Sequence, residues 1–215
     1  SLPSETTVRF KAGSIGDKNQ QKVLEAAVTV FSRKGFSGAR IDEIAKQAGM
    51  SKTNMLYYFK TKQELYQVVI VRVIRQWLNS LGELHKDDQP IDVITQYISK
   101  KMQLSRQYPE ASRLIAMEII AGAPIIDNFM QTELRSWVKE KGEVFLVWQK
   151  EGLMAPIDPA HVFFMIWALT QTYADFESQI SAVMEPKNYE KEIYPLATGY
   201  VIEVLVRGLD LKPRL

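Results

Sequence analysis

Residues 36–65 read FSGARIDEIAKQAGMSKTNMLYYFKTKQEL, and this stretch decides how the first third of the chain folds. It contains two short helical patterns, which the turn Gly49-Met50-Ser51 joins. Two helices this short, with so tight a turn, predict a helix-turn-helix, a motif whose second helix can enter the major groove of DNA. The inward positions of the two patterns are apolar: Ile41, Ile44, Ala45 and Ala48, then Met55, Leu56 and Phe59.

The sequence before this stretch predicts one further helix and an irregular arm. Asp17 is a candidate N-cap, and Gln20, three residues later, is its partner in a capping box. The helix is expected to stop at Gly35. Residues 1–16 lack helical periodicity and are predicted to form a mobile basic arm, in which Arg9 and Lys11 are available for phosphate.

After the stretch, helix breakers divide the chain into further helical segments. Ser51 is a natural N-cap for the second short helix, and Thr61 with Glu64 forms a capping box for a long one that reaches Leu81. An alternating strand pattern is nowhere long enough to predict a sheet. The expected fold is therefore all-α, with about nine helices. The later ones are predicted over residues 90–106, 109–122, 123–152, 158–184 and 189–208.

Composition and charge restrict the classes of protein. The net charge of +2 hides 13 Lys/Arg against 6 Asp/Glu in residues 1–75, and 14 against 19 in the remainder. A basic head on an acidic body is typical of a polyanion-binding module joined to another domain, although chance clustering also produces such a pattern. The absence of cysteine excludes disulfides and thiolate metal sites, and is compatible with the cytoplasm.

The helical head and the run AAVTVFSRKGFSGARIDEIAKQAGMSKTNMLYYFKTKQEL resemble the TetR family of bacterial transcriptional regulators. The resemblance implies a DNA-binding domain over residues 17–62 and an effector-binding and dimerisation domain over residues 63–215. It further implies that Thr53 and Asn54 approach base edges, where an Asn amide can recognise adenine. Phosphate contacts are expected from Arg40, Tyr57, Tyr58 and Lys62, with Ser51 at the start of the reading helix.

Two blocks in the body, YPEASRLIAMEIIAGAPII and LMAPIDPAHVFFMIWALTQTYADF, resemble a pyrimidine-sensing branch of that family. Trp167 and Gln171 lie four residues apart and share one helix face. A glutamine amide complements the imide edge of a pyrimidine, and an indole suits stacking against a flat ring. The resemblance implies that both residues, with Trp77, hold uracil or thymine. Thr170 and Tyr173 are candidate neighbours, and Asp175 is a weaker one.

Other interpretations remain open at this stage. Trp167 and Gln171 could be ordinary core residues, and the effector could be a different small molecule or absent altogether. An enzyme is the rival class, but His85 and His161 stand alone, without metal-ligand spacing, and nucleophile-elbow, Walker and dinucleotide motifs are missing. The sequence therefore predicts a cytoplasmic, homodimeric regulator, with repression as the family default and without a metal or cofactor. The dimer is expected to form through the last two helices.

Overall fold

The computed structural model describes residues 14–214, and every regular element in that range is helical. The predicted all-α class is confirmed. Within the described range, no helix is long and apolar enough to cross a membrane. The elements are α1 (Ile15–Gly38), α2 (Ile41–Gln47), α3 (Lys52–Tyr58), α4 (Lys62–Asn79), α5 (Pro90–Gln107), α6 (Pro109–Ile120), α7 (Asp127–Phe129), a π-helix (Met130–Leu134), α8 (Arg135–Lys150), α9 (Pro159–Asp175), α10 (Glu177–Met184) and α11 (Tyr189–Gly208).

The chain divides into two compact units. The head unit comprises the residues through Arg75 together with Arg113–Gln131, and the body unit comprises Gln76–Ser112 together with Thr132–Leu215. The chain therefore passes between the units three times: within α4, near the start of α6, and in the π-helix. The predicted functional division after residue 62 stays a prediction.

The head unit is held together by the inward faces of its short helices. Ile44, Met55 and Phe59 are fully buried, because the apolar positions of α2 and α3 recur at helical spacing and face the same side. The rings of Phe31 and Tyr66 meet edge to face, with centroids 4.8 Å apart. This apolar packing leaves the polar sides of α2 and α3 on the surface of the unit.

A buried carboxylate fixes the second segment of the head unit. The Tyr66 hydroxyl donates to Oε2 of Glu118 at 2.9 Å, and the Ile125 backbone N–H donates to Oε1 at 2.8 Å. Both oxygens of Glu118 are thus satisfied, as a buried carboxylate requires. The contact ties α4 to the end of α6 and to the loop that follows it.

The body unit is a pack of long helices with one shared apolar core. Helix α5 packs against α9 and α11, and α8 packs against α9. The close approach of α8 and α9 requires Gly142, because a Cβ there would lie 2.8 Å from the Cβ of Pro159. The largest fully buried side chains of this core are Tyr97, Phe145, Trp148 and Phe163.

Several helix ends lie where the sequence predicts them. Ser51 caps α3, and Thr61 accepts from the Glu64 backbone N–H at 3.0 Å. Asp158 caps α9, with Pro159 at the first helical position. Helices α5, α6 and α11 end within about two residues of their predicted limits. Gly35 interrupts α1 with a φ of 67°, although the element continues to Gly38.

The predicted cap of α1 is wrong. The cap is Ser14, whose hydroxyl accepts from the Asp17 backbone N–H at 3.2 Å. Asp17 lies in the first turn instead, where its negative charge interacts favourably with the positive end of the helix dipole. The predicted irregular arm consequently ends earlier than residue 16. Its residues 1–13, with Arg9 and Lys11, lie outside the described range.

Two long predicted helices are also wrong. The one expected over residues 123–152 starts only at Asp127, because Ala123 is left-handed, with a φ of 55°, and Pro124 follows it. The segment continues from α7 through the π-helix into α8. The one expected over residues 158–184 is interrupted at Phe176, whose φ and ψ are −115° and 31°. No glycine or proline marks this second break, so periodicity could not locate it.

Candidate functional site

The turn between α2 and α3 has the geometry that a helix-turn-helix needs. Gly49 adopts a φ of 71°, a left-handed conformation that glycine takes without a steric penalty. The hydroxyl of Ser51 then accepts from the Asn54 backbone N–H at 3.1 Å. This bond caps α3 and fixes where the helix begins. The position of every outward side chain on α3 follows from that start.

The outer side of α3 is polar. Ser51, Thr53, Asn54 and Tyr57 are all exposed, whereas Met55 between them is fully buried. Arg40, at the start of α2, is also exposed, and its guanidinium lies 3.8 Å from a carboxylate oxygen of Asp42. The residues predicted to touch bases, and two of the four predicted to touch phosphates, therefore lie on the surface of the head unit.

Two predicted phosphate contacts are engaged inside the head unit. Tyr58 is only 7% exposed, and its hydroxyl accepts from Nδ2 of Asn19 at 3.2 Å. The Lys62 ammonium donates to the carbonyl oxygens of Phe36 and Ala39, at 2.8 and 3.1 Å. Both side chains thus stabilise the head itself. Their contact with DNA stays a prediction, as it does for the exposed residues.

In the body unit, polar side chains form a ladder between α5 and α9. The Trp167 indole N–H donates to the Tyr97 hydroxyl at 2.9 Å. One turn further along both helices, the Lys101 ammonium donates to Oε1 of Gln171 at 3.4 Å. Both rungs follow from the four-residue spacing that places side chains one above another on a helix.

Lys101 brings two of the predicted effector residues together. Its ammonium lies 4.1 Å from the ring centroid of Trp77 and also contacts Gln171. Only 2% of Lys101 is exposed, and Trp77 is buried as well. Nearby, the buried Ser112 hydroxyl donates to Oδ1 of Asp175 at 2.6 Å. The arrangement is a buried polar cluster within an apolar helix pack, and we call Trp77, Lys101, Ser112, Gln171 and Asp175 the polar cluster.

The other predicted effector residues have different surroundings. Trp167 belongs to an aromatic group, with ring centroids 5.9 Å from Phe163 and 6.3 Å from Trp137. The Thr170 hydroxyl donates to the carbonyl of Ile166 in its own helix, at 2.7 Å, so its one proton is already used. The carbonyl of Tyr173 accepts from another tyrosine hydroxyl at 2.7 Å. The Thr170 hydroxyl is thus engaged within its own helix, and effector binding by any of these residues stays a prediction.

Sequence reasoning missed Lys101, Tyr97 and Ser112. A signal for Lys101 was present, because it lies on the same side of α5 as the apolar residues Ile94, Ile98 and Met102. A lysine within the apolar stripe of a helix is seldom fully buried without a partner. The neighbouring Lys100 is exposed, which shows that the pattern distinguishes the two lysines.

Burial dominates the ionisation of Lys101. Removing its ammonium from water lowers its pKa to about 7, and the charge of Asp175 opposes this shift. Burial likewise raises the pKa of the Tyr97 hydroxyl, although the hydrogen bond from Trp167 acts to lower it. The cluster is therefore a place where an incoming polar group can replace the hydration that Lys101 has lost.

Comparison with known proteins assigns the chain to a family. Residues 23–69 match the model of bacterial regulatory proteins of the tetR family, and residues 70–212 match that of the YcdC-like protein C-terminal region. The second match alone covers more than half of the chain. The protein belongs to the TetR family of bacterial transcriptional regulators, with an N-terminal DNA-binding helix-turn-helix.

Individual relatives resemble the chain more specifically than the family models do. The chain is 40% identical, over 195 residues and 91% of each chain, to the HTH-type transcriptional regulator RutR of Escherichia coli K12 and of strain O157:H7. Among solved structures, it is similar to the SCO4942 protein of Streptomyces coelicolor, with a TM-score of 0.70 and 24% identity over 90% of this chain and 99% of that one. A TetR-like regulator from Rhodococcus sp. RHA1 has a TM-score of 0.63 and 20% identity, over 90% of this chain and 97% of that one. The predicted resemblance to a RutR-like TetR regulator is confirmed.

The lowered pKa of Lys101 predicts that the free energy of unfolding depends on pH. Below pH 7 the lysine is charged both in the folded and in the unfolded protein, so the folded state bears the full desolvation penalty. Above pH 7 the folded protein releases a proton that the unfolded chain retains, and the free energy of unfolding rises with pH. Relative to Lys101→Met, the wild type should gain on the order of a few kcal/mol between pH 6 and 10.

Denaturant titrations across this pH range measure the difference. Lys100→Met is the matched control, since it removes an exposed lysine from the same helix and should parallel the wild type at every pH. A wild-type stability that changes with pH in the same way as that of Lys101→Met would show that Lys101 is not desolvated.

Proposed function

We propose that the protein is a transcriptional repressor that leaves its operator when a pyrimidine such as uracil or thymine binds to the polar cluster. The observation that carries the proposal is the contact of Trp77 and Gln171 with one buried ammonium. An indole face, an amide and a cation, enclosed by apolar helices, suit a flat polar ring. The 40% identity to RutR supports the same conclusion. A staphylococcal relative, IcaR, is by name a negative regulator, and it is 22% identical to this chain.

On the DNA side, Thr53 and Asn54 are proposed to read base edges. Both are exposed on α3, and the cap at Ser51 fixes the start of that helix. The exposed Arg40 and Tyr57 are proposed to hold phosphates, so that they set the register in which α3 lies in the groove. Tyr58 and Lys62 are proposed to make only weaker phosphate contacts, because their polar atoms already form hydrogen bonds within the head unit.

Two chains are proposed to form the active species through α10 and α11. Leu196, Tyr200 and Val204 follow one another at four-residue spacing on α11, and they are 57%, 63% and 60% exposed. Ile193, Ala197 and Leu205 on the same helix are instead buried in the core of the chain's own body unit. The exposed stripe is thus a separate apolar face, and such faces mark protein interfaces.

Coupling between effector and DNA is proposed to run through α4. This helix starts at Lys62 in the head unit and crosses into the body unit after Arg75, two residues before Trp77. A ligand that moves Trp77 can tilt α4 and change the spacing of the two reading helices of a dimer. Half-sites on DNA recur at about one helical turn, so a small displacement matters. Effector and operator then weaken each other's binding by the same factor. We place these events in the cytoplasm, with the DNA.

The DNA proposal predicts two different defects on α3. Asn54→Ala should reduce the preference for the operator over mismatched duplexes, by roughly 1–3 kcal/mol, because a base contact is lost. Tyr57→Phe should weaken binding to every duplex by about the same few-fold factor, because a phosphate contact carries no sequence information. Fluorescence anisotropy with operator and scrambled duplexes measures both. Tyr108→Phe, an exposed tyrosine of the body unit, should change neither. A uniform loss in Asn54→Ala would remove that residue from base recognition.

The effector proposal predicts a selective loss in Gln171→Ala. The variant should bind the operator normally but fail to release it with uracil or thymine, since the amide partner of the ring is missing. Isothermal calorimetry and operator-release assays measure the two properties. Gln96→Ala, an exposed glutamine on α5, is the control and should respond normally. If the wild-type protein shows neither heat nor thermal stabilisation with either base, the pyrimidine effector is wrong.

The dimer proposal predicts that a charge in the exposed stripe separates the chains. Tyr200→Glu places a carboxylate in an apolar face of α11, so the protein should become monomeric at micromolar concentration in sedimentation experiments. Ile15→Glu changes an even more exposed apolar residue, on α1, and should leave the dimer intact. Monomeric wild-type protein would contradict the assignment, and so would a dimer that tolerates Tyr200→Glu.

A further inference from the structure

The ammonium of Lys101 has more hydrogen-bonding capacity than its surroundings use. A lysine carries three N–H donors. Among residues 14–214, Lys101 makes a single hydrogen bond, to Oε1 of Gln171, and that bond is long at 3.4 Å. Its other close contact is with the face of the Trp77 ring, which attracts a cation but accepts no conventional hydrogen bond. A cation buried in this way is stabilised by any oxygen that reaches it.

Other groups near Lys101 in the helix pack also have unused polar capacity. The Gln171 amide accepts from Lys101 through its oxygen, so its NH₂ group is the part left to face a ligand. Ser105 lies one turn after Lys101 on the same side of α5, and its hydroxyl is fully buried without a hydrogen-bond partner. The Lys101 ammonium and the Gln171 NH₂ group can only donate, whereas the Ser105 hydroxyl can donate or accept, so donors outnumber acceptors on this side of the site. The carboxylate of Asp175, which acts on Lys101 through its charge, already accepts from Ser112.

A lining rich in donors discriminates between pyrimidines. Uracil and thymine present two exocyclic carbonyl oxygens, whereas cytosine presents one carbonyl and one amino group. An amino group directed at an ammonium brings donor against donor and leaves both unpaired, which is the strongest ground on which a buried polar site rejects a ligand. A carbonyl oxygen in the same place accepts a charge-assisted hydrogen bond.

We propose that Lys101 determines effector specificity: its ammonium donates a hydrogen bond to the exocyclic oxygen that is replaced by an amino group in cytosine, so the site accepts dioxo-pyrimidines and excludes amino-pyrimidines. This inference rests on the proposed function, because it assigns a role at the same site. The ligand oxygen takes over from the weak contacts with Trp77 and Gln171. The Gln171 amide is then free to bind the ring edge.

Asp175 on α9 is the charged group that acts on Lys101, and its negative charge partly opposes the lowering of the Lys101 pKa by burial. The groups that touch Lys101 directly, Trp77 on α4 and Gln171 on α9, carry no charge. Below its pKa of about 7 the lysine is therefore a cation without a carboxylate bound directly to it. A direct ion pair would have occupied the donors that the ligand needs.

Calorimetry with uracil and cytosine tests the proposal on the full-length wild type, Lys101→Met and Lys100→Met. The wild type should prefer uracil. In Lys101→Met, uracil should bind about tenfold to a hundredfold more weakly, the range of one charge-assisted hydrogen bond, and the ratio of the two affinities should fall toward one. Lys100→Met, which changes the exposed neighbour, should keep both the affinity and the ratio.

Operator binding without ligand shows that each variant is folded. If Lys101→Met does not fold, Lys101→Gln keeps a polar side chain of similar length, and its amide can accept as well as donate. The preference for uracil should therefore shrink in that variant too. An unchanged uracil-to-cytosine ratio in the folded variant overturns this inference and leaves the proposed function standing. A wild type that binds neither base overturns the proposed function itself.

Discussion

The packing of α5 against α9 and α11 is the constraint on which the body unit depends. It buries Tyr97, Ile98 and Met102, and in doing so it also buries Lys101, which lies on the same helix face. An apolar core tolerates an ammonium only where surrounding contacts offset the loss of hydration. Here an indole face, an amide and a nearby carboxylate share that role. The polar cluster is therefore an outcome of how the core is packed, and the residues that stabilise the unit also hold in place the groups proposed to bind the effector.

The head unit separates its tasks by helix face. Met55 and Phe59 point inward and hold α3 against the unit, while Thr53, Asn54 and Tyr57 point outward. The Ser51 cap and the left-handed Gly49 fix the start of α3, so the outward residues keep a constant angle. Lys62 adds a support of a different kind, because its ammonium satisfies two carbonyl oxygens at the end of α1. The atoms proposed to contact DNA and the atoms that support the head unit thus differ within one short segment.

Much of this organisation could be predicted from the sequence. The caps at Ser51, Thr61 and Asp158 depend on local chemistry, and the helix periods of the head are regular, so fold class and helix starts followed directly. The break at Phe176 has no glycine or proline beside it and so no local signal of comparable strength. Gly122 and Pro124 do flank Ala123, but they did not show that the helix starts only at Asp127. At the candidate site, the four-residue pairing of Trp167 and Gln171 was visible. The partners on α5 were not, because helical periodicity tells which face is buried but not which helix it meets.

The exposed stripe of α11 has a consequence for the concentration of protein that a cell requires. With Leu196, Tyr200 and Val204 as the joining surface, the species that grips both half-sites forms by a second-order reaction. At monomer concentrations below the dissociation constant of the dimer, the dimer concentration rises with the square of the monomer concentration. Where most operators are also unoccupied, halving expression would then lower promoter occupancy about fourfold. Control by this protein would accordingly respond steeply to gene dosage and to the dilution that accompanies cell growth.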